Sequence, residues 1–380
     1  KEIVKKSELK VKRESLDTKL NNTITVIFPK DKKNKITKQF LNILELGIFD
    51  KSIKNFSLEI KFFENTSDFE SIVNNSQNEG KIYIGPIDNS TTKISQKFCD
   101  DGATFFSFSS NVKLAKDCVY LVNFFPKNEL EQLFSYLDEG SKVALLYPEN
   151  EYGYYINSLI DNVINDSNAI LINRASYKND LSNVRDAIKE LGKYELRKYE
   201  LSRQKKILSK KTDNKSIKRL KILEKFRTTS DYDFSHILLA DYGLNLLQVA
   251  PLLPFYDIDP NIVQFMGTGV MDDDNFFSEP SLNGAIFPGV QKNKRRKLIE
   301  KYYNIYDDNF MRVSTLPYDL IGLLSFIYEN NLSFNEFYEL LNNKLTKFEG
   351  VDGNFYFKNN IMERDLQILK INSGGTKTVN

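Results

Sequence analysis

The chain has 380 residues, in which 53 Lys and Arg nearly balance 51 Asp and Glu, for a formal net charge of +2 at pH 7. This balance gives the molecule as a whole no electrostatic reason to bind nucleic acid. No apolar run approaches the roughly 18 residues that a membrane-spanning helix needs. With 41% hydrophobic residues, including 28 Phe and 20 Tyr, the chain can fill the cores of two domains of ordinary size.

Short apolar runs alternate with longer stretches in which apolar residues have helical spacing. Strands that alternate with helices in this way predict βαβ units and a mostly parallel sheet. Ligands of such sheets bind at the carboxyl ends of the strands, so the loops that follow the runs are the predicted functional region. The predicted strands are 24–29 (ITVIFP), 57–63, 81–86 (KIYIGP), 104–110, 119–124, 143–147, 170–175, 236–240, 263–267 and 284–288.

Breaks in this alternation predict a chain that passes three times between two lobes. The first crossing is expected at Phe125-Pro126, because Pro cannot donate to a strand ladder and fixes the chain direction. The other two are expected at 268–270 and at Leu316-Pro317. The predicted division is a basic leader that is helical or disordered at 1–21, lobe 1 at 22–125 plus 269–316, lobe 2 at 126–268 plus 317–345, and a C-terminal β-hairpin tail at 346–380 that turns at Asn359-Asn360.

A strongly basic segment interrupts the second lobe. Residues 193–227 contain 14 Lys and Arg against 4 acidic residues, which leaves the rest of the chain acidic. Leu, Ile and Tyr recur there at helical spacing, which predicts a charged helical hairpin within 193–230 that turns near Asp213-Asn214. Two interpretations stay open. A solvated hairpin is favoured, and the alternative is a docking surface for an acidic partner or an anionic polymer, such as an envelope enzyme, peptidoglycan or lipid headgroups.

Cys99 and Cys118 are the two cysteines of the chain. An exported protein could join them in a disulfide. Cys99 is expected at a helix end and Cys118 after the loop that follows the next strand, which predicts a separation of more than about 7 Å. Two separate buried thiols are therefore the favoured expectation.

The sequence offers little support for catalysis. His236, the one histidine, begins an apolar strand, so it is expected to pack at the end of the sheet away from the functional loops. No G-x-S-x-G elbow, phosphate loop or Cys/His metal spacing occurs. Asp272, Asp273 and Asp274 lack the spacing of a calcium loop and are expected to form a solvated turn and a helix cap. We therefore expect no enzyme activity, no cofactor and no metal site.

Several longer motifs resemble a known group of proteins. The chain resembles the type I periplasmic-binding-protein superfamily and, within it, the penicillin-binding protein activator family (LppC/LpoA-like outer-membrane lipoproteins). The resemblance covers nearly all of the chain after Asn22 and implies a clamshell of two α/β lobes with three crossings. The motifs are 24–50, GPIDNS at 85–90, SFSSN at 107–111, YPENEYG at 147–153, 241–260, GTGVMDDD at 267–274, LPYDLIGLL at 316–324 and GVDGNFYF at 350–357.

The resemblance also implies a set of ligand-binding residues. In amino-acid-binding relatives, amides and hydroxyls hold the ligand carboxylate, an aromatic ring covers the ligand, and an acid receives the amine, by charge-assisted hydrogen bonds. Asp88 departs from this pattern, because its charge would repel a ligand carboxylate. The residues at matching positions are Asn89, Ser109, Ser110 and Asn111 for the carboxylate, Tyr152 and Tyr242 for the aromatic cover, and Asp241 for the amine.

The function implied is that of a non-catalytic protein of the periplasm, and a lipid attached before Lys1 would anchor such a protein to the outer membrane. It would regulate peptidoglycan synthesis by contact with a peptidoglycan synthase, through a shift in the population of the active synthase. The alternative is a periplasmic solute-binding protein of an ABC transporter for amino acids or peptides. A ligand-sized polar pocket would distinguish the second function from the first.

Overall fold

A computed structural model of the chain describes residues 19–30, 35–291, 293–309, 311–343 and 345–379. Its strands, in chain order, are β1 Thr23–Pro29, β2 Ser57–Phe63, β3 Ile82–Ile84, β4 Thr104–Ser107, β5 Val119–Leu121, β6 Lys142–Pro148, β7 Ile170–Tyr177, β8 His236–Leu239, β9 Gln264–Met266, β10 Ile286–Gly289, β11 Phe355–Lys358, β12 Ile361–Arg364, β13 Gln367–Asn372 and β14 Gly375–Thr378.

The helices follow the strands in the predicted alternation. In chain order they are α1 Lys35–Asp50, α2 Thr66–Asn74, α3 Asn89–Ser95, α4 Pro126–Ser135, α5 Glu151–Asn165, α6 Val184–Leu191, α7 Tyr194–Leu208, α8 Asn214–Leu223, α9 Gly243–Val249, α10 Leu252–Phe255, α11 Asp274–Phe277, α12 Asn293–Tyr306, α13 Leu316–Glu329 and α14 Phe334–Asn342. Short 3₁₀ turns lie at Gln96–Phe98, Val112–Leu114, Gly269–Met271, Pro280–Leu282 and Arg312–Thr315.

The chain forms two α/β units, and it passes from one to the other three times. Unit 1 contains the described residues of 1–125 and 292–365, and unit 2 those of 126–291 and 366–380. Each unit has a seven-stranded, mostly parallel sheet with helices packed on it. The predicted fold class of two α/β lobes joined by three crossings is therefore confirmed.

Unit 1 has the strand order β11-β12-β5-β4-β3-β1-β2. Strands β1 to β5 pair in parallel, and β11 runs antiparallel to β12. The core on one side of the sheet contains Phe28, Phe40 of α1 and Phe108, with the rings of Phe40 and Phe108 4.5 Å apart. Helix α1 approaches α13 closely because Gly47 has no side chain, and a Cβ there would lie 3.2 Å from Ile321.

Unit 1 also buries two ion pairs. Arg295 contacts Asp352 at 2.7 Å, and Arg364 contacts Asp319 at 2.8 Å, with all four side chains at most 4% exposed. Asp319 also accepts a hydrogen bond from the backbone N–H of Val351 at 2.8 Å. Buried charges persist in native proteins when they are paired and hydrogen-bonded in this way.

Unit 2 has the strand order β14-β13-β10-β9-β8-β6-β7. Strands β6 to β10 pair in parallel, and β13 and β14 complete the sheet as an antiparallel hairpin. The apolar stretch ILL of β8 is buried, as expected for a central strand of a parallel sheet covered on both faces. The basic insertion forms the helical pair α7 and α8, with the turn near Asp213-Asn214 that the sequence predicts. The structure adds that the side chain of Asp213 caps the start of α8.

The division of the chain differs from the prediction at the second and third crossings. Residues 269–291 belong to unit 2, because β10 pairs in parallel with β9 through Ile286 and Met266. Residues 317–345 belong to unit 1, because α13 packs on α1 there. The crossings therefore fall at 291/292 and 365/366, after the one at 125/126.

Both ends of the chain also differ from the expected arrangement. The predicted leader, 1–21, falls mostly outside the described residues, but Leu20 is buried in the core of unit 1. In the predicted tail, 346–380, the turn at Asn359-Asn360 has positive φ at both residues and joins β11 to β12. The following hairpin, β13 and β14, lies in unit 2, so the tail is shared between the two units.

The expectation of two separate thiols is wrong. Cys99 and Cys118 form a disulfide, with their Cα atoms 5.2 Å apart. Strand β5 returns beside β4, and the N–H of Phe105 donates to the carbonyl of Cys118 at 2.9 Å. This pairing carries Cys118 back to the turn that holds Cys99, and the spacing of the two residues in the sequence did not reveal it.

Among the described residues, no helix combines the length and the apolar character needed to cross a membrane.

Candidate functional site

In unit 2 the strand order changes direction at β6. The chain goes from β6 to β7 on one side and then to β8 on the other side of β6. Open α/β sheets bind ligands outside the carboxyl ends of the strands at such a switch point. The loops there begin after Pro148 of β6 and Leu239 of β8, and they contain the predicted site residues Tyr152, Asp241 and Tyr242.

The first of these loops turns sharply into α5 and positions Tyr152. Asn150 caps the helix by accepting a hydrogen bond from the N–H of Gly153 at 2.9 Å. A Cβ at Gly153 would lie 2.0 Å from the carbonyl oxygen of Pro148, so this turn requires glycine. The hydroxyl of Tyr152 is hydrogen-bonded to Thr268 Oγ1 at 2.5 Å, which fixes the direction of the ring.

Two tyrosine rings meet at the switch point. The rings of Tyr152 and Tyr242 pack edge to face, with centroids 5.2 Å apart. Tyr152 is partly buried, whereas Tyr242 is 50% exposed. Burial raises the pKa of the Tyr152 hydroxyl, so it stays neutral and keeps its proton as a hydrogen-bond donor. The pair presents an aromatic surface, with one ring fixed and the other open to solvent.

Asp241 is the buried charge of this region, with a side chain 2% exposed. Its Oδ2 accepts from the hydroxyl of Tyr177 at 2.6 Å, and its Oδ1 accepts from the backbone N–H of Tyr242 at 2.8 Å. Within the described part of the chain, no Lys, Arg or His nitrogen lies within 4 Å of this carboxylate. Burial raises the pKa of Asp241, although both hydrogen bonds oppose the shift.

Three further residues complete this arrangement, and the sequence did not single them out. Tyr177 ends β7 and Thr268 follows β9, so each comes from a neighbouring strand end. Glu129 of α4 is buried and accepts from the N–H of Gly269 at 2.9 Å. The strand-end positions of Tyr177 and Thr268 were a usable signal, because parallel strands end at the same edge. Glu129 gave no such signal in the sequence, since it lies in the first turn of an ordinary helix.

In unit 1 the predicted residues lie in the loops after β3 and β4. The buried hydroxyl of Ser109 donates to Asn89 Oδ1 at 2.6 Å and accepts from the N–H of Asn111 at 3.1 Å. The side chain of Asn111 accepts from the N–H of Lys113 at 3.2 Å and so caps a 3₁₀ turn. The structure therefore brings Asn89, Ser109 and Asn111 together, with Ser109 holding the loops. Asn89 and Ser110 are exposed.

Asp88 has a structural role in the same loop. Its carboxylate caps α3 by accepting from the N–H of Thr91 at 2.9 Å and from the Thr91 hydroxyl at 2.5 Å. An acceptor at this position satisfies a helix N–H group that would otherwise lack a partner. The carboxylate of Asp88 therefore has a structural role in this loop as the cap of α3.

Other residues singled out from the sequence lie elsewhere in unit 2. His236 starts β8, at the end of the strand opposite Asp241, and burial lowers its pKa. Asp273 caps α11 by accepting from the N–H of Asn275 at 2.9 Å. In the described ranges no group of three or more His, Cys, Asp or Glu side chains has an arrangement that could hold a metal ion.

No protein-family model matches the chain, and no curated protein matches it in sequence. Solved structures resemble it over nearly its whole length. A protein assigned to branched-chain amino acid ABC transport from Rhodospirillum rubrum matches 95% of this chain and 100% of its own, with a TM-score of 0.68 and 10% identity. The chain has the fold of type I periplasmic binding proteins.

Two further similar structures contain amino acids. A substrate-binding protein of an ABC transporter from Desulfitobacterium hafniense, in complex with Leu, matches 94% of this chain and 99% of its own, with a TM-score of 0.58 and 14% identity. The protein LivJ from Streptococcus pneumoniae, in complex with isoleucine, matches 95% and 99%, with a TM-score of 0.55 and 13% identity. At these identities the likeness establishes the periplasmic-binding-protein-like fold alone.

The expectation of a penicillin-binding protein activator is wrong. The three solved structures described above are proteins of ABC transport, and those from Desulfitobacterium hafniense and Streptococcus pneumoniae are substrate-binding proteins. No model of the activator family matches. The expected contact with a peptidoglycan synthase, the lipid anchor and the outer-membrane location have no support.

Proposed function

We propose that the chain is a solute-binding protein of an ABC transporter that captures an amino acid or a short peptide. The similar solved structures support this proposal, because those from Desulfitobacterium hafniense and Streptococcus pneumoniae bind Leu and isoleucine. Such proteins bind their solute without converting it, so the proposed role needs no catalytic group. The positions of the polar side chains at the strand ends of both units agree with it.

The observation that carries the proposal is the environment of Asp241. The carboxylate is buried, lacks a cationic neighbour among the described residues, and has a raised pKa because of burial. An ammonium group would supply the missing positive charge. Each carboxylate oxygen accepts one hydrogen bond from the protein, at 2.6 and 2.8 Å, and a carboxylate has about four acceptor sites in all. Asp241 therefore keeps acceptor capacity for a ligand amine.

The tyrosine pair beside Asp241 suits the apolar part of such a ligand. The Tyr152 ring is fixed by its bond to Thr268, and the half-exposed Tyr242 ring packs against it. Aromatic rings supply large contact areas at a low cost in conformational entropy. Unit 1 by itself exposes the side chains of Asn89 and Ser110 in the loops after its own strands, and Ser109 holds Asn89 in place by a hydrogen bond at 2.6 Å.

The disulfide supports a location outside the reducing cytoplasm. Disulfides form and persist in oxidising compartments such as the bacterial periplasm. The bond between Cys99 and Cys118 therefore agrees with an exported protein. We propose that the chain functions in the periplasm, where a transport receptor meets its solute.

A thermal-shift screen of amino acids and short peptides tests the proposal. A ligand at 1,000 times its dissociation constant stabilises the folded protein by about 4 kcal/mol, which gives an unambiguous shift. We expect at least one reproducible hit, which Asp241→Asn abolishes. Tyr242→Ala should weaken the same hit, whereas Tyr154→Ala, which removes a similarly exposed ring of unit 2, should leave it unchanged.

Three results would reject the proposal. One is a ligand-free preparation that responds to no amino acid or peptide. The second is a hit that persists undiminished in Asp241→Asn. The third is equal weakening by Tyr242→Ala and Tyr154→Ala, since that would place the ligand away from the switch point. Circular dichroism of each variant shows that the fold is retained.

A further inference from the structure

The helical pair α7 and α8 concentrates positive charge on one part of unit 2. Residues 193–227 have a net charge of +10 from their Lys, Arg, Asp and Glu, while the rest of the chain has −8. Most of these cations point to solvent. Within the described residues, no carboxylate oxygen lies within 4 Å of the side-chain nitrogens of Lys198, Lys206, Lys210, Lys211, Lys215, Lys218, Arg219, Lys221 or Lys225.

Large apolar side chains are exposed among these cations. Leu196, Tyr199 and Ile207 of α7 are 55%, 64% and 52% exposed. Their spacing places them on one face of the helix, together with Arg203. Ile222 of α8 and Phe226, just after it, are 54% and 50% exposed and one turn apart. Exposed apolar side chains occur singly on most proteins, but here they form rows between lysines.

The base of the hairpin is fixed to unit 2, so these rows are held in place. Arg197 is 3% exposed and donates to the carbonyl of Gly192 at 2.7 Å and to Thr228 Oγ1 at 3.0 Å. Its guanidinium lies over the ring of Tyr232, 4.5 Å from the centroid. Leu201 is buried beside it. The inner face of α7 thus packs on the unit, and the opposite face carries the apolar row.

We propose that the pair α7 and α8 docks on a bilayer that contains anionic phospholipid. The two features of the hairpin match the two layers of such a surface. Anionic headgroups attract Lys and Arg, and the boundary with the acyl chains accepts Leu, Ile, Tyr and Phe side chains. A soluble acidic polymer such as polyglutamate would match the charge alone and would leave the apolar rows exposed. Docking would hold a solute-binding protein near a membrane-embedded transporter.

Co-sedimentation of the full chain with lipid vesicles tests the proposal. The vesicles are pure phosphatidylcholine or an equimolar mixture of phosphatidylcholine and phosphatidylglycerol. Binding is expected only to the mixture and is expected to weaken as salt is added. The charge variant of the hairpin is Lys206→Gln, Lys210→Gln, Lys218→Gln and Lys225→Gln. Its matched control replaces four exposed lysines elsewhere, Lys93→Gln, Lys113→Gln, Lys116→Gln and Lys178→Gln.

A second pair of variants tests the apolar rows. Leu196→Ser with Ile207→Ser removes two side chains of the hairpin, and Ile170→Ser with Ile172→Ser removes two similarly exposed side chains of β7. Each lysine near an anionic surface strengthens binding about fivefold, so the four hairpin replacements together should weaken it by roughly 600-fold. The two apolar replacements should weaken it by at least about tenfold. Both control variants should bind like the parent protein.

Several outcomes would overturn the proposal. The parent protein could fail to bind the mixed vesicles, or it could bind both vesicle types equally. The charge variant and its control could weaken binding equally, which would indicate a diffuse electrostatic effect. An unchanged affinity of Leu196→Ser with Ile207→Ser would exclude contact of the apolar rows with lipid. Binding of soluble polyglutamate without binding to vesicles would identify an acidic partner instead. None of these outcomes depends on the solute-binding site.

Discussion

Removal of the disulfide should destabilise unit 1 by an amount that follows from its loop length. Cys99 and Cys118 are 19 residues apart in the sequence, and both are buried. The variant Cys99→Ala with Cys118→Ala abolishes the cross-link without leaving a reactive thiol. The main consequence is a larger conformational entropy of the unfolded chain, since the loop between the two positions is no longer closed.

The chain-entropy relation gives about 3 kcal/mol for a loop of this length. A destabilisation of 1 kcal/mol lowers the melting temperature of a domain of 150–250 residues by about 2–4 °C. The expected fall for unit 1, which belongs to this size class, is therefore about 6–12 °C. The loss of two buried sulfur atoms adds a smaller packing penalty in the same direction.

Thermal unfolding in the presence and absence of a reductant measures this effect. The parent protein should lose the stated stability when it is reduced, and the double variant should melt near that lower temperature under both conditions. Thiol titration of the unfolded, non-reduced parent should detect no free thiol. Two free thiols, or equal melting temperatures of the parent protein with and without reductant, would refute the disulfide and the reasoning from loop length.

Two other perturbations give predictions with a definite sign. Arg364→Met leaves the buried carboxylate of Asp319 without its counter-charge, and it should lower the free energy of unfolding in urea by about 3–5 kcal/mol. The control Asp365→Asn breaks an exposed ion pair with Lys347 and should lower the same quantity by less than about 1 kcal/mol. Equal costs would contradict this prediction. Because burial raises the pKa of Asp241 above its ordinary value of 3.8, the ligand-free protein should lose stability relative to Asp241→Asn as the pH rises through that raised pKa. Urea unfolding of both proteins from acidic to neutral pH measures this difference, and a difference that does not change with pH would contradict it.

The sequence predicted the order of the elements because their signals are local. A central parallel strand is a continuous apolar run, as in the ILL of β8, and the polar pair Asp213-Asn214 marks the turn between α7 and α8. The two α/β units and the basic hairpin followed from such signals. They require no knowledge of which strand pairs with which.

The crossings and the disulfide depend on pairing between distant residues. The second crossing was predicted at 268–270, beside Gly267 and Gly269. Strand β10 instead pairs with β9, so the chain stays in unit 2 beyond this point. The place of α13 in unit 1 depends on its packing against α1, about 270 residues earlier, as the close approach of Gly47 and Ile321 shows. Cys118 reaches Cys99 through the register of β4 and β5. None of these contacts leaves a pattern in a short window of sequence.

Only part of the candidate site could be predicted from the sequence, because some of its contacts join residues that are far apart in the chain. The family resemblance supplied Tyr152, Asp241 and Tyr242, and each of them follows a predicted strand, in agreement with the rule that ligands bind at the carboxyl ends of parallel strands. The bonds from Tyr177 to Asp241 and from Thr268 to Tyr152 span 64 and 116 residues, and only the folded sheet reveals them. The motif YPENEYG, quoted for the activator family, forms the end of a strand, a turn and the start of a helix in this chain, with a glycine that the turn requires at position 153.

The central claim is that Asp241 receives the amine of a bound solute, and calorimetric titration tests it most directly. The best amino acid from the screen and its analogue without the amine are each titrated into the parent protein and into Asp241→Asn. A hydrogen bond to a charged group contributes about 1.5–3 kcal/mol, so removal of the amine should weaken binding to the parent by about 10- to 150-fold. The same removal should change binding to Asp241→Asn by less than about threefold, because the partner of the amine is already gone. An equal loss of affinity in both proteins would contradict the claim.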